Sequence, residues 1–371
     1  MEIHNDIDDE WDEFINSSSN DFESIHTEEH INKDMPKCGD IYISTKTKII
    51  YMKLFDKDGK HIKEYMDISG LFWKIPIIEY YTQKTGIIKK QIKLTSFSEQ
   101  ESNQVEEYIK QEKICQSEIL QYINKNTDKS SKYKKVQKIS CGLSKKDFIT
   151  TRTKKKSAFY NCFALVIRVQ KNECFKELHI KVFNSGKIEI PGIQDEEILE
   201  KGLSLLQQLI ENITSYKVKY DYDTIETVLI NSNFTCGYYI NREKLFNKLK
   251  MKYGLITMYD PCSYPGIQSK FYYNKNKKIQ NGLCECSTRC SKGGKGNGDG
   301  NCIEVSFMIF RTGSVLIVGR CNENILYKTY EFIKNIFENE YQEINNGIIA
   351  KEDIKEKVFK KSKKIHITIK K

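Results

Sequence analysis

Four cysteines fall within nineteen residues, spaced Cys284-x-Cys286-x3-Cys290-x11-Cys302. Thiolates at that density can surround one zinc ion tetrahedrally. The spacing is not a pair of C-x2-C hooks, so the same residues also read as four free thiols on a glycine-rich loop. The run GGKGNGDG (293–300) suggests a phosphate cradle, but GxxxxGK[ST] is absent and no strand leads through it into a helix. The six histidines are scattered along the chain, and no paired carboxylates mark a cleft. The chain is therefore not read as an enzyme, and no small-molecule substrate is expected. No cofactor is required, and structural zinc is the one the residues suggest.

A second pattern concerns recognition. FNSGKIEIPG runs from Phe183 to Gly192, and FRTGSVLIVG from Phe310 to Gly319, 127 residues further on. Around them, 177–210 and 304–337 align without gaps, sharing Glu177/Glu304, Phe183/Phe310, Gly186/Gly313, Ile190/Ile317, Gly192/Gly319 and Glu196/Glu323. In each copy a Phe precedes a tight turn whose glycine suits positive φ or close approach. A Phe exposed at each rim of a basic sheet would suit an apolar wedge between DNA base steps. The alternative is that both are ordinary core residues.

These residues need elements to hold them. Alternation predicts strands over 40–56, 157–169, 177–192, 227–240, 259–274 and 303–319. Helical period predicts helices from Ser98 to about Asn124, from Asp195 as N-cap, over 241–254 ending at Gly254, and after 319. A polar loop is expected over 124–135. Two copies of strand–turn–strand–helix imply two pseudo-symmetric halves. The expected class is α+β: one antiparallel sheet with helices on one face only and the other face free.

Charge divides unevenly. The 371 residues carry +10 in all, but 1–36 hold twelve acids against Lys33, leaving about +21 on the remainder. A basic body points to a polyanionic partner, or to solubility on a lysine-rich background. Residues 1–36 read as a disordered acidic tail, 37–220 as a first repeat with a large insertion at about 57–140, and 221–345 as a second with a Cys/Gly-rich insertion at about 275–302. A basic tail, 346–371, follows. No run is long and apolar enough for a membrane span. The acidic N-terminus lacks the order of a secretory signal, so secretion is not expected and the cysteines are read as thiols or metal ligands.

The two Phe-x-x-Gly strands, YDPCSYPGI (259–267) and SAFYNCFALVIRV (157–169) together resemble the TATA-box-binding protein family. The wording KVFNSGKIEIPGIQ, LINSNF and DPCSYPGIQ is most similar to the divergent versions of large nucleocytoplasmic DNA viruses. The resemblance covers about 140–340. It implies a pseudo-twofold saddle whose concave sheet lies on the minor groove of AT-rich promoter DNA and bends it. The convex helices would recruit general transcription factors and RNA polymerase subunits, in the nucleus or in a viral factory of the host cytoplasm. The implied wedges are Phe183, Phe310 and Tyr264. The fourth is ambiguous among Cys162, Phe159, Tyr160 and Phe163, with Phe163 carried as the candidate. The family's central-strand Asn falls on Asn233 or Asn231, without a partner near Ile41–Ile43. Lys187, Arg168, Lys270 and Arg320 are candidate phosphate contacts, each equally a solvated surface charge. Where the family has Thr before Gly, this chain has Pro191 and Val318, which cannot donate a hydrogen bond to a groove acceptor. That departure also fits a transcription scaffold that kept the fold and lost sequence-specific DNA binding.

Overall fold

The computed structural model describes residues 36–62, 65–127, 130–149, 159–290 and 293–348. The acidic tail and most of the basic tail expected from the sequence lie outside the described residues. Among them no helix is long and apolar enough to cross a membrane.

The strands are β1 (Tyr42–Phe55), β2 (His61–Ile62), β3 (Gly86–Ser96), β4 (Cys115–Thr127), β5 (Ser130–Gly142), β6 (Cys162–Lys171), β7 (Cys174–Phe183), β8 (Lys187–Ile193), β9 (Lys217–Thr235), β10 (Tyr238–Ile240), β11 (Thr257–Met258), β12 (Ile267–Tyr273), β13 (Ile303–Ile309), β14 (Ser314–Gly319) and β15 (Asn345–Ile348). The helices are α1 (Ile68–Lys74), α2 (Glu99–Gln111), α3 (Lys145–Ile149), α4 (Glu196–Thr214), α5 (Arg242–Asn247, continued by one π turn) and α6 (Glu323–Ile344). One sheet runs β11-β12-β13-β14-β9-β1-β8-β7-β6-β3-β5-β4, with β2 beside β1 and every pairing antiparallel. The fold is α+β, as the residue patterns predict.

The repeat is visible in the register. Lys48 of β1 faces Ile190, and Ser232 of β9 faces Ile317. Ile190 and Ile317 are repeat counterparts, so β1 and β9 are counterparts too. Their facing pair Lys46 and Ile230 lies at the pseudo-twofold axis. The two tight turns match bond for bond. Gly186 N donates to Phe183 O and Gly313 N to Phe310 O, both at 3.0 Å. Met52 N then donates to Gly186 O (2.8 Å), and Cys236 N to Gly313 O (2.9 Å). Both glycines have positive φ, +80° and +74°. A Cβ on Gly186 would collide with Met52 O, and one on Gly313 with Tyr238 O. Glycine is required at both places by conformation and by contact.

The period-2 side chains Leu178, Ile180 and Val182 of β7 and Phe163, Leu165 and Ile167 of β6 point to the face covered by α4. That helix adds Ile198, Leu199, Leu203, Leu206 and Ile210 from one stripe. Each such fully buried side chain contributes about 1.5–3 kcal/mol of transfer free energy. Asp195 caps α4 by accepting from Glu197 N, and Asn322 caps α6 by accepting from Ile325 N, both at 3.0 Å. The first residues of the two helices, Glu196 and Glu323, each bind a lysine of β1: Lys48 at 2.6 Å and Lys46 at 2.7 Å. The central strand is thereby tied to both helices.

Two expectations are corrected. The helix expected to run to Asn124 ends at Gln111, because Glu112 takes an extended conformation, ψ 132°. Residues 115–127 instead pair with β5, and that hairpin also replaces most of the expected polar loop. The helices are not confined to one face either. α3 sits on the opposite face, where Lys145 N donates to Glu177 Oε1 (2.9 Å) and Asp147 binds Lys89 (2.6 Å).

Candidate nucleic-acid interface

The face turned away from α4 and α6 is defined by the residues opposite the core positions. Across β12, β13, β14 and β9 it carries Lys270, Ser306, Val318 and Asn231 in one row and Gln268, Met308, Leu316 and Asn233 in the next. At the end of the second repeat the chain turns at Pro265-Gly266 so that Tyr264 folds back over the sheet. Its ring meets that of Phe310, centroids 6.0 Å apart and tilted by 57°. Both are half-buried. A Cβ on Gly266 would lie 2.9 Å from the Tyr264 ring and 3.0 Å from the Phe310 ring, so this glycine makes room for the pair. Tyr264 Oη donates to Met308 Sδ at 3.4 Å. Burial pushes the phenol up to about 12, so it remains a donor at neutral pH.

The first repeat holds its aromatics differently. Phe183 is half-buried at the matching rim, with Lys187 Nζ 5.0 Å from its centroid. Register identifies the fourth position: Cys162 faces Phe183 as the residue next to Ile267 faces Phe310, so Cys162 matches Gly266 and Tyr160 matches Tyr264. Phe163 is not the candidate. It is fully buried under α4 and belongs to the core, because odd positions of β6 point to the helix side. Tyr160 is 55% exposed, and Lys93 Nζ from β3 sits 3.5 Å from its ring centroid. Phe159 lies under Lys181 Nζ at 4.3 Å. Sequence reasoning left the choice between these neighbours open because the gap-free count needs the β6–β7 register.

Arg168 is also corrected. It is on the right face but only 7% exposed. Its Nη1 donates to Thr82 O (2.9 Å), and its guanidinium lies 4.6 Å from the Tyr80 centroid. The strap around 77–85 and α3 roof this end of the face, so Arg168 supports the insertion rather than meeting a partner. The other three candidate cations are placed where a partner could reach them, but each has a carboxylate neighbour. Lys187 is 3.8 Å from Glu189, Lys270 2.6 Å from Glu304 and Arg320 2.8 Å from Glu226. Pairs this exposed contribute little to folding and can be exchanged for other anions.

Asn231 and Asn233 both lie on this face, Asn231 nearer the pseudo-twofold axis between Thr45 and Val318. The buried Asn231 Oδ1 has no hydrogen-bond partner among the described residues. By register the first-repeat counterparts are Thr47 and Ile49, not residues near 41–43. Val318 is 4% exposed and carries no donor, and Pro191 stands in its counterpart position.

Apart from this face, the four cysteines converge. All four Sγ atoms lie within 4.8 Å of one another, and the cluster could hold a metal.

The resemblance read from the motifs is borne out by a curated relative. The chain is similar to a TATA-box-binding protein-like protein of Acanthamoeba polyphaga mimivirus, 27% identical over 216 residues that cover 53% of this chain and 53% of the relative. It thus spans about half the length of the curated relative it matches. Among solved structures, the Methanococcus jannaschii TBP matches with 12% identity and a TM-score of 0.36, covering 82% of this chain and 99% of that one. No family model matches the sequence.

Proposed function

We propose that this chain is a non-catalytic transcription initiation factor that binds AT-rich promoter DNA through the minor groove and bends it. The observation that carries this reading is the Phe310–Tyr264 pair, seated over Gly266 at the rim of a pseudo-twofold sheet face. Apolar rings there would enter a base step and unstack it. Lys187, Lys270 and Arg320 would trade their carboxylates for phosphates, giving salt-dependent affinity. Between the rims the face carries Val318, Leu316 and Pro191, none of which has a side-chain donor. With few donors aimed at base edges, preference for AT-rich sequence would come from groove shape and ease of deformation. The helix-covered face would recruit general transcription factors and RNA polymerase subunits, in the nucleus or in a cytoplasmic viral factory. Binding needs no cofactor, and a zinc ion in the cysteine cluster would be structural.

A second reading is favoured by one observation: Glu189, Glu304 and Glu226 neutralise the cations of the open face. A scaffold that kept the fold and lost sequence-specific DNA binding would look the same. Fluorescence anisotropy with AT-rich and GC-rich duplexes at two salt concentrations separates the two. The initiation-factor reading expects tighter, salt-sensitive binding to the AT-rich duplex, weakened about fivefold or more by Phe310→Ala, since base stacking on an aromatic side chain contributes roughly 1–3 kcal/mol. Equal or absent binding to both duplexes supports the scaffold.

A further inference from the structure

We propose that Cys284, Cys286, Cys290 and Cys302 bind one zinc ion as four thiolates, and that this clip seals the outer edge of β12 past its pairing with β11. The Sγ distances are 3.4 Å for Cys284–Cys290, 3.4 Å for Cys286–Cys302 and 3.6 Å for Cys286–Cys290. Four sulfurs around zinc, each at about 2.3 Å, stand roughly 3.8 Å apart. Two disulfides would draw the sulfurs into two bonded pairs at about 2 Å; here each of Cys286 and Cys290 has two near neighbours. Cys302 N also donates to Cys290 Sγ at 3.3 Å, the kind of backbone bond that orients a thiolate ligand.

The loop needs such a centre. Between Cys284 and Cys302 there is no Val, Ile, Leu, Met or aromatic residue. A compact segment without apolar side chains has no hydrophobic drive to close. Metal binding supplies that free energy directly, because the site exists only when the loop is folded. The loop nonetheless folds back tightly: a Cβ on Gly294 would collide with Cys302 O, and Gly296 N donates to Asn301 O at 2.7 Å. An all-sulfur tetrahedral set selects zinc or iron over magnesium or calcium.

The position of the clip gives it a role. Cys302 directly precedes β13. On the other side, Tyr272 N of β12 donates to Gly282 O (3.0 Å), two residues before Cys284. Gly293 packs against Arg320, a Cβ there falling 3.2 Å from Nη1. Zinc would therefore hold down the outer edge of β12 past its pairing with β11, a stretch that otherwise presents unpaired backbone groups to solvent. This inference does not depend on DNA binding.

The test is elemental analysis of the full chain, purified under reducing conditions and dialysed against metal-free buffer. The expected result is about one zinc per chain, with little iron, lost in Cys290→Ser and kept in Cys174→Ser. Cobalt(II) in place of zinc should give the thiolate-to-metal absorption of a four-sulfur tetrahedral site. Hydrogen exchange at Tyr272 should rise on chelation. If Cys290→Ser does not fold, the metal content and cobalt spectrum of the unaltered chain still decide. Metal-free protein with four titratable thiols, iron in place of zinc, or zinc retained by Cys290→Ser would overturn the proposal.

Discussion

Single atoms decide where the rings at the second rim sit. Gly266→Ala would push a methyl into Tyr264 and Phe310 and should separate them. The expected outcome is a DNA affinity lowered severalfold with little change in thermal stability, read by anisotropy beside a melting curve. Gly313→Ala acts on the fold instead. It forces an L-residue into positive φ and against Tyr238 O, and should destabilise by about 1–2 kcal/mol or more in chemical denaturation. Glu340 is the charged residue whose surroundings make a pH prediction. Burial alone would raise its carboxyl, but bonds from Lys252, Tyr253 and Lys248 outweigh that and hold it at about 2. A depressed folded value stabilises the protein above the ordinary value of 4.5 and loses that contribution as pH falls toward 2. Glu340→Gln should therefore lower the melting temperature at pH 7 and narrow the gap to the parent at pH 3. A gap that stays constant with pH would contradict this.

At the scale of elements, the two rims are unequal. At the second-repeat end Tyr264 lies against Phe310 and Met308, while the strap near 77–85 and α3 cover the first-repeat end around Arg168 and Glu177. Tyr264→Ala should therefore weaken DNA binding more than Tyr160→Ala, whose ring is already engaged by Lys93. Arg168→Ala should leave the salt dependence of binding unchanged but cost stability, about 1.5–3 kcal/mol for the lost charge-assisted hydrogen bond to Thr82 O. Equal effects of the two tyrosines, or a reduced salt slope for Arg168→Ala, would contradict the roofed-end account. The repeat, its turns, the Asp195 cap and the strands around the glycines were legible in sequence because each is local and periodic. Residues 115–127 were not. Their apolar spacing continues the helical period of α2, and only the pairing with β5, Cys115 against Cys141 onward, makes them a strand. Arg168 was misread for a similar reason: its partner Thr82 is 86 residues away in the insertion. Phe163 and Tyr160 were separable only once Cys162 was set against Phe183.

For the whole molecule, the register around Lys46 and Ile230 makes two halves of one sheet, and the insertion breaks their equivalence. A symmetric partner such as a duplex would then be gripped more firmly at the second-repeat end. The account stands on the claim that this face bends DNA. The direct measurement is fluorescence energy transfer between the ends of a short AT-rich duplex titrated with the full chain. The account predicts a rise in transfer on binding, smaller on a GC-rich duplex and lost in the Phe310→Ala/Tyr264→Ala double variant. Saturating binding with no change in transfer, or the same rise in the double variant, would contradict it.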